Sequence, residues 1–344
     1  MTSAQQKCPV HAVMLTDRAR MHQQLARDAA PSLLELVILR RPEPVEMRWA
    51  LARAEIVISE RNQPVSAQMI AAAPKLRYIL RLGSLVHGID LEAAHKAGVK
   101  VSAQPVRECV LAAEHVLMMC LAVLRRLGRS LRAMTTSTPE AAPRMSDENS
   151  FAYNWMDYGD LQPLLGRTVA VLGMGEIGVE LTSRLAAFGP AAILYHKRVP
   201  YPSAVELALG LEHASFERCV RDADVLVSLL PFTVDTKYLL GQAAFDTMPA
   251  HAVLVHAGSG GVIDEAALAA TLAKQRIAGA ALDNFEVEPL PLASPLLKLV
   301  RDGVANLLLT PHIASGTLPS SRAGDFAEIE RFLRSERLHF DVHT

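Results

Sequence analysis

The feature that most constrains the fold of this chain is the stretch TVAVLGMGEIG, residues 168–178. An apolar run, Thr168 to Leu172, is followed by three glycines in the spacing G-x-G-x-x-G and by a helical pattern from Val179 to Phe188. The run predicts a buried strand, and glycines let the following turn approach a ligand closely because they carry no side chain. Strand, turn and helix in this order indicate an α/β domain.

The spacing of the glycines predicts what this turn binds. At a strand–helix junction it is typical of a Rossmann domain, which holds the pyrophosphate of a dinucleotide at the N-terminus of the helix. We therefore predict cofactor contacts from Gly173, Gly175, Glu176, Ile177 and Gly178. A glycine-rich turn in another kind of α/β protein is the alternative interpretation.

The end of the next predicted strand, Ala192 to Tyr195, bears on the choice of cofactor. A carboxylate normally stands there and accepts hydrogen bonds from the ribose hydroxyls. This chain has His196, Lys197 and Arg198 instead. Cations suit a 2′-phosphate, so the sequence favours NADP, with NAD as the alternative. A solvated run of charge at a strand end is the other explanation.

Strand and helix patterns alternate along the chain, which predicts parallel strands with right-handed crossovers. Further predicted strands are Leu33–Leu39, Ile56–Ser59, Tyr78–Leu82, Val99–Ser102, Val225–Leu229, Ala252–Val255, Ile277–Leu282 and Leu307–Leu309. Further predicted helices are Glu46–Ala54, Ser66–Ala73, Leu91–Ala97, Ala112–Arg126 and Ala266–Lys274.

Length and composition exclude several functional classes. The 344 residues suffice for two domains, and a net charge of −1 gives no electrostatic case for nucleic acid or for an anionic membrane. The longest apolar stretch, Val116 to Leu124, is too short to cross a bilayer. The four cysteines are far apart, and the pair Cys8 and His11 lacks a second pair of metal ligands. We expect reduced thiols, a cytoplasmic location and no metal site.

Four stretches in order carry a resemblance to a known family: LLGRTVAVLGMGEIG, HAGSGGVIDEAALAATL, IAGAALDNFEVEPL and LLLTPHIASGT. Together they resemble the D-isomer-specific 2-hydroxyacid dehydrogenases, from about Arg77 to Thr317, and AAEHVLMMCLAVLRR resembles the family's interdomain helix. The resemblance implies a Rossmann domain, residues 113–318, inserted in a flavodoxin-like split substrate domain, residues 1–112 and 319–344.

Further expectations follow from the resemblance. The helical pattern Ser320 to Glu336 is expected to complete the substrate domain. The family suggests a homodimer, for which the polar stretch Thr135 to Tyr158 is the candidate arm, and a small-molecule substrate. Further cofactor contacts are expected at Pro231, Thr236, Ala257, Gly258 and Asp283.

The resemblance also implies an acid–base pair. His312, in the T-P-H stretch, is expected to give or take a proton at the substrate oxygen, and Glu288, in E-x-E-P, to hold that histidine. A carboxylate beside an imidazole favours its charged form and fixes its tautomer. A histidine that only caps a turn after proline is the alternative.

The third catalytic position departs from the family. The family reads A-R-G-G where this chain reads Gly258-Ser259-Gly260-Gly261, so Ser259 stands where an arginine binds the substrate carboxylate and polarises the carbonyl. A hydroxyl donates one neutral hydrogen bond and cannot neutralise an anion. Loss of one polarising donor costs about 3 to 4 kcal/mol in the barrier. The flanking glycines are expected to leave room around Ser259.

The predicted substrate loop is also altered. The family has a G-x-G-x-D-like turn whose amides hold the substrate carboxylate, and this chain reads GSLVHGID, residues 83–90. We predict substrate contacts from Gly83, Ser84 and Leu85, with Ser84 and His87 adding polar groups. Arg81 is a candidate carboxylate clamp, as is Arg107; a structural or surface role is the alternative for each.

Two functions are compatible with these residues. The first is an NAD(P)-dependent oxidoreductase that transfers hydride between nicotinamide and a 2-hydroxy acid, a 2-oxo acid or a related CH–OH substrate. The second is a dinucleotide-binding protein with little turnover that acts as a sensor or a partner-binding module. Retention of His312 and Glu288 favours the enzyme, and loss of the arginine favours the binding protein. We favour the enzyme.

Overall fold

The computed structural model describes residues 9–61, 63–136, 145–316 and 322–342. Cys8, residues 137–144 of the predicted arm and the first two residues of the predicted C-terminal helix lie outside the described residues. The strands are β1 (Val10–Leu15), β2 (Leu34–Leu39), β3 (Ile56–Glu60), β4 (Tyr78–Leu82), β5 (Lys100–Gln104), β6 (Thr168–Leu172), β7 (Ala192–His196), β8 (Leu211–His213), β9 (Val225–Ser228), β10 (Val253–His256), β11 (Gly279–Leu282) and β12 (Leu307–Leu309).

The α-helices connect these strands and cover the sheets. They are α1 (Arg20–Ala29), α2 (Pro44–Leu51), α3 (Ala67–Ala71), α4 (Leu91–Lys96), α5 (Arg107–Leu124), α6 (Leu127–Thr136), α7 (Glu176–Leu185), α8 (Ser203–Leu209), α9 (Phe216–Asp222), α10 (Gln242–Thr247), α11 (Glu265–Ala273), α12 (Pro295–Asp302) and α13 (Ala327–Leu333). Short 3₁₀ turns occur at Ala186–Phe188, Gly260–Val262 and Arg322–Phe326.

The first compact unit comprises Met1–Val110 and Thr317–Thr344. Its five strands are parallel in the order β2-β1-β3-β4-β5, which is the flavodoxin-like order. The C-terminal part of the chain belongs to this unit because α13 packs on the sheet, where the ring of Phe332 stacks on that of Tyr78 at 4.5 Å between centroids.

The second unit, Leu111–Gly316, holds a seven-stranded parallel sheet in the order β12-β11-β10-β9-β6-β7-β8. Counted from β6, this is the doubly wound order of a Rossmann fold, continued by β12 at one edge. The sequence runs β6–β7–β8 toward one edge and β9–β10–β11–β12 toward the other, so the direction reverses between β6 and β9. Ligands bind at such a switch point, outside the carboxyl ends of the strands.

The predicted fold class is confirmed, and several element bounds differ from prediction. The sequence analysis missed β1 and α1: β1 is interrupted by His11, and α1 is a polar helix in which Ala26 is the buried residue. It also missed the three-residue β8 and the helices α6, α8, α9, α10 and α12. Helix α5 begins at Arg107 rather than Ala112, because its first turn carries the polar pair Arg107 and Glu108.

Candidate active site

The glycine turn after β6 is shaped for close backbone approach. Gly173 has φ +89°, and a Cβ there would lie 2.9 Å from the backbone of Leu229 and Leu230. A Cβ at Gly178 would lie 2.7 Å from the sulfur of Met174, so this glycine lets α7 approach the turn. A Cβ at Gly175, by contrast, would meet nothing within 4 Å. This open space, at the N-terminal end of α7, is compatible with a pyrophosphate.

The end of β7 carries the three predicted cationic or titratable residues. His196 Nδ1 lies 3.1 Å from the carbonyl oxygen of Ala214, and Lys197 Nζ lies 3.7 Å from the centroid of the Tyr201 ring. Arg198 is exposed and has no ion pair or hydrogen bond with the described residues. Its guanidinium is therefore available to an anion at the end of this strand.

The loops after β9 and β10 carry the other predicted cofactor contacts. The hydroxyl of Thr236 donates to the carbonyl of Pro231 at 2.8 Å, which closes the first loop. In the second, the Ala257 N–H donates to the carbonyl of Ser228 at 3.1 Å, and Gly258 is buried. Both loops start at the carboxyl edge of the sheet, beside the glycine turn.

Ser259 lies in a loop that packs tightly against its neighbours. Its N–H donates to the carbonyl of Leu230 at 2.9 Å, and its partly exposed hydroxyl has no hydrogen bond with the described residues. A Cβ at Gly260 would lie 1.9 Å from the carbonyl carbon of Phe285. The expectation that the flanking glycines leave room is therefore wrong: Gly260 is required because the loop lies directly on the Phe285 backbone, and a Cβ at Gly258 would lie 2.6 Å from the carbonyl oxygen of Leu230.

The structure brings His312 and Glu288 together. His312 Nδ1 lies 2.7 Å from Glu288 Oε2, although the residues are 24 positions apart. The other oxygen of Glu288, Oε1, accepts from the Phe285 N–H at 2.9 Å, which fixes the carboxylate. The His312 side chain is 50% exposed and stands on left-handed backbone with φ 51°. An imidazole held in this way presents its second nitrogen, Nε2, away from the carboxylate.

The second ring nitrogen of His312 has a hydrogen-bond partner, Asn284, which the sequence analysis did not predict. Asn284 Nδ2 lies 2.9 Å from His312 Nε2. The signal available in the sequence was a polar residue two positions after the carboxyl end of β11, at the edge where functional residues of parallel sheets gather.

Asp283 organises the loop that carries His312. Its carboxylate is fully buried and accepts from the Thr310 hydroxyl at 2.5 Å and from the N–H groups of Ile313 at 3.0 Å and Ala314 at 2.8 Å. His115 Nε2 lies 3.4 Å from the same carboxylate. Cofactor contact by Asp283 stays a prediction, while these bonds give the residue a structural task.

Negative charge gathers on the Glu288 side of the site. Glu265 Oε1 accepts from the Glu286 N–H at 2.7 Å, and the hydroxyl of Tyr238 donates to the Glu286 carboxylate. Burial, and then the charges of Glu286 and Glu288, raise the pKa of Glu265. Three carboxyl groups near one another favour a neutral or cationic ligand over an anionic one.

An apolar cavity of about 620 Å³ opens beside the dyad, with Glu288 and His312 in its wall. Besides these two residues and Thr310, its lining consists of Phe285, Pro289, Leu290, Leu297, Leu309 and Pro311.

The predicted substrate loop lies at the end of β4 in the first unit. Gly83 has φ 143°, and its N–H donates to the carbonyl of Gln104 at 2.8 Å. Arg81 is 4% exposed; its Nε donates to the carbonyl of Leu85 at 3.1 Å and its Nη1 to the hydroxyl of Ser59 at 3.3 Å. Arg81 is thus buried and fixes the loop through its hydrogen bonds, whereas Ser84 and Leu85 are partly exposed.

Two searches of the described residues gave negative results. No group of three or more His, Cys, Asp or Glu side chains there is arranged to hold a metal ion. No helix among the same residues has both the length and the apolar character needed to span a bilayer.

Comparison with known proteins identifies the family. The family profile described as "D-isomer specific 2-hydroxyacid dehydrogenase, NAD binding domain" matches residues 117–314. The chain belongs to this family. The match covers the glycine turn, Ser259, Glu288 and His312, so the D-isomer-specific 2-hydroxyacid dehydrogenase fold carries every predicted catalytic residue of the second unit.

Individual relatives agree with the assignment. The chain is 31% identical over 319 residues to D-3-phosphoglycerate dehydrogenase of Mycobacterium leprae, covering 88% of this chain and 55% of that protein. It therefore spans about half the length of that relative. It is 30% identical over 294 residues to glyoxylate reductase of Korarchaeum cryptofilum, covering 85% of this chain and 80% of the reductase.

A solved structure shows the same fold. The crystal structure of D-mandelate dehydrogenase from Rhodotorula graminis in its apo form aligns with a TM-score of 0.55 at 23% identity, covering 97% of this chain and 98% of the other.

Proposed function

We propose that this protein is an NADP-dependent oxidoreductase that interconverts a hydroxyl and a carbonyl group of a small substrate, a 2-hydroxy acid or a related CH–OH compound. The observation that carries the proposal is the 2.7 Å contact between His312 Nδ1 and Glu288 Oε2. A carboxylate that fixes the tautomer of an exposed imidazole is the arrangement of a general acid–base.

The second unit has the residues to hold the cofactor. Gly173, Gly175 and the first turn of α7 would cradle the pyrophosphate, and the free guanidinium of Arg198 supports a 2′-phosphate. A bound nicotinamide supplies hydride chemistry. The orientation and the proton chemistry are left to the protein.

His312 and Glu288 have different roles in proton transfer. In the reducing direction, Nε2 of a protonated His312 gives its proton to the substrate oxygen, and Glu288 stabilises the charged ring through Nδ1. In the oxidising direction the neutral ring takes that proton back. Ser259, whose loop lies against the Phe285 backbone, is the proposed neutral donor to the substrate, and Gly83, Ser84 and Leu85 are the proposed substrate contacts of the first unit, with Arg81 holding their loop.

The substrate class is narrowed by the charges of the second unit. Ser259 provides no cation, and the carboxyl groups of Glu265, Glu286 and Glu288 lie on the same side of the site. These features favour carbonyl compounds in which the group that faces Ser259 is uncharged, such as 2-oxo amides or aldehydes, alongside weaker activity on 2-oxo acids.

The second candidate is a dinucleotide-binding sensor or partner-binding module. Ser259 is the specific observation in its favour, because a neutral hydroxyl replaces the cation that polarises the carbonyl.

The test is NADPH oxidation with a matched panel: glyoxylate, pyruvate, pyruvamide and glycolaldehyde. We expect turnover of at least one uncharged carbonyl compound, abolished in His312→Ala, whose dissociation constant for NADPH stays within about twofold of wild type because His312 acts on the substrate oxygen. Tight NADPH binding with no turnover of any compound supports the binding module, and an active His312→Ala variant removes the mechanism.

We propose further that the protein is a cytoplasmic homodimer. The support is the spacing of its cysteines and the run of exposed aromatic side chains within residues 151–155, with Phe151, Tyr153 and Trp155 56%, 80% and 42% exposed. Exposed apolar patches of this kind mark interaction surfaces.

A further inference from the structure

One hydrogen bond at the dyad has no part in the function proposed above. Asn284 Nδ2 lies 2.9 Å from His312 Nε2, the ring nitrogen opposite the one that Glu288 holds. We propose that Asn284 is a further catalytic residue: its carboxamide donates to His312 Nε2 before substrate binds and to the substrate oxygen afterwards. This inference rests on the proposed function, because it concerns the same proton transfer.

The bond has a defined effect on the proton of His312. With Nδ1–H donated to Glu288, the neutral ring carries its lone pair on Nε2, which accepts from the Asn284 amide. Such a bond exists only with the neutral ring, since a protonated Nε2 has no lone pair. With its Nδ2 facing the ring, Asn284 favours the neutral imidazole, whereas the carboxylate of Glu288 favours the charged one, so the two residues act on the ring in opposite directions.

Asn284 is held by its neighbours at this distance. Asp283 before it is fully buried, and its carbonyl accepts from the His312 N–H at 2.9 Å. Phe285 after it donates its N–H to Glu288 Oε1 at 2.9 Å. The main chain on either side of Asn284 is thus tied to both members of the dyad.

The same position places the carboxamide beside the reacting oxygen. A substrate oxygen that takes the proton of Nε2 must come within hydrogen-bond distance of that atom, and so next to the amide that bonds it now. The Ser259 loop lies against the Phe285 backbone, one residue further on. In the described residues no lysine or arginine bonds to Ser259, Asn284 or His312. Asn284 and Ser259 are then two neutral hydrogen-bond donors to the substrate, in place of the arginine that the family has at the position of Ser259.

The experiment compares Asn284→Ala, the isosteric Asn284→Asp and Glu288→Gln with wild type, and uses Gln242→Ala, a surface amide on α10, as control. The ring of His312 is titrated by NMR, with its resonance identified by its loss in His312→Gln. We expect the titration midpoint to rise by roughly half to one pH unit in Asn284→Ala, because a neutral hydrogen bond contributes about that much, and to fall in Glu288→Gln. Asn284→Asp should raise it further, since a carboxylate accepts and favours the charged ring.

Kinetics test the second half of the proposal. At a pH low enough that the ring is charged in every variant, kcat/KM should fall roughly two- to tenfold in Asn284→Ala and Asn284→Asp, because neither donates to the substrate oxygen. Gln242→Ala should match wild type, and all variants should keep the wild-type melting temperature and NADPH affinity.

The outcomes separate this inference from the proposed function. If wild type is active but the titration midpoint of His312 is the same in both Asn284 variants as in wild type, the role of Asn284 is overturned and the proposed function is not. Shifted midpoints with unchanged kcat/KM overturn the donation to substrate. A wild-type protein that turns over no carbonyl compound overturns the proposed function, and the catalytic role with it.

Discussion

Among single residues, Ser259 offers the most direct test of how the absence of the family's arginine affects the reaction. Its backbone lies where a cationic residue is expected from the family, and its side chain is partly exposed. Ser259→Arg should raise kcat/KM on glyoxylate and pyruvate by about a hundred- to thousand-fold, the value of one polarising donor. A planar guanidinium meets a carboxylate and a carbonyl together, which a hydroxyl cannot.

The matched control is Ser259→Lys, a point charge without the planar fork, which should gain less. Steady-state rates of the three proteins on one substrate panel decide the matter. A folded Ser259→Arg protein that binds NADPH and gains nothing on any 2-oxo acid would show that the site has diverged beyond this position.

His256, the last residue of β10, makes the stability of the fold depend on pH. It is fully buried, and neither ring nitrogen has a hydrogen bond in the described part of the chain. Burial lowers its pKa to about 4 from 6.5, an effect that nearby backbone groups and the charge of Asp283 offset only in part. The folded protein therefore keeps this ring neutral, whereas the unfolded chain binds a proton below about pH 6.5.

The sign follows from this difference in proton binding. The free energy of unfolding should increase between pH 4 and 6.5, and His256 alone contributes about 3 kcal/mol to that increase. Urea unfolding of wild type and His256→Asn at pH 4.5 and 7 isolates the contribution, because other groups titrate equally in both proteins. If the free energy of unfolding depends on pH equally in wild type and His256→Asn, the proposed contribution of His256 is wrong.

Sequence reasoning found some of these residues and missed others for physical reasons. His312 and Glu288 lie in motifs whose spacing carries over between proteins, so both were predicted. Asn284 and His256 became visible only when the fold brought a ring nitrogen to an amide and closed a core around an imidazole. Hydrogen bonds across 28 positions, as between Asn284 and His312, leave no local pattern.

At the scale of elements, the end of β7 is the proposed determinant of the choice between NADP and NAD. Arg198 should bind the 2′-phosphate, so NADPH should bind at least several-fold more tightly than NADH. Arg198→Ala should raise the dissociation constant of NADPH roughly tenfold and leave that of NADH unchanged. The gap between the cofactors should shrink at high salt, because contacts between exposed charges are screened.

Fluorescence titrations measure both constants, and Lys274→Ala, which removes an exposed cation just after α11, serves as the control. Equal dissociation constants for NADPH and NADH in the wild-type protein would leave His196, Lys197 and Arg198 as a solvated run of charge.

Whether an element could be predicted also depends on whether its signal is local in sequence or comes from contacts with distant residues. Buried parallel strands are nearly continuous apolar runs, so β4, β6 and β12 were predicted to the residue, although β4 contains Arg81. Polar α1 and the short β8 are stabilised by the sheet against which they pack rather than by a pattern of their own. Close backbone approach at Gly260 likewise depends on Phe285, which is distant in sequence.

For the whole molecule, the arm of the second unit bears on assembly. Met145, Phe151, Tyr153 and Trp155 are 89%, 56%, 80% and 42% exposed, and the rings of Phe151 and Tyr153 lie 5.6 Å apart. Water-exposed aromatic groups in one segment are stabilised when a second copy covers them, since burial of apolar area contributes about 25 cal/mol per Å². We expect a homodimer, with twice the 37.3 kDa mass of the chain.

Mass photometry and sedimentation equilibrium measure the assembly directly. Joint replacement of Phe151, Tyr153 and Trp155 by serine should shift the protein to monomer, because the covered apolar area is lost while the core is untouched. Trp49→Ser is the matched control: Trp49 is 72% exposed on α2, in the first unit, and its loss should leave the dimer intact. A wild-type protein that stays monomeric at micromolar concentration removes the arm as an interface, and a dimer that survives the triple replacement places the interface elsewhere on the chain.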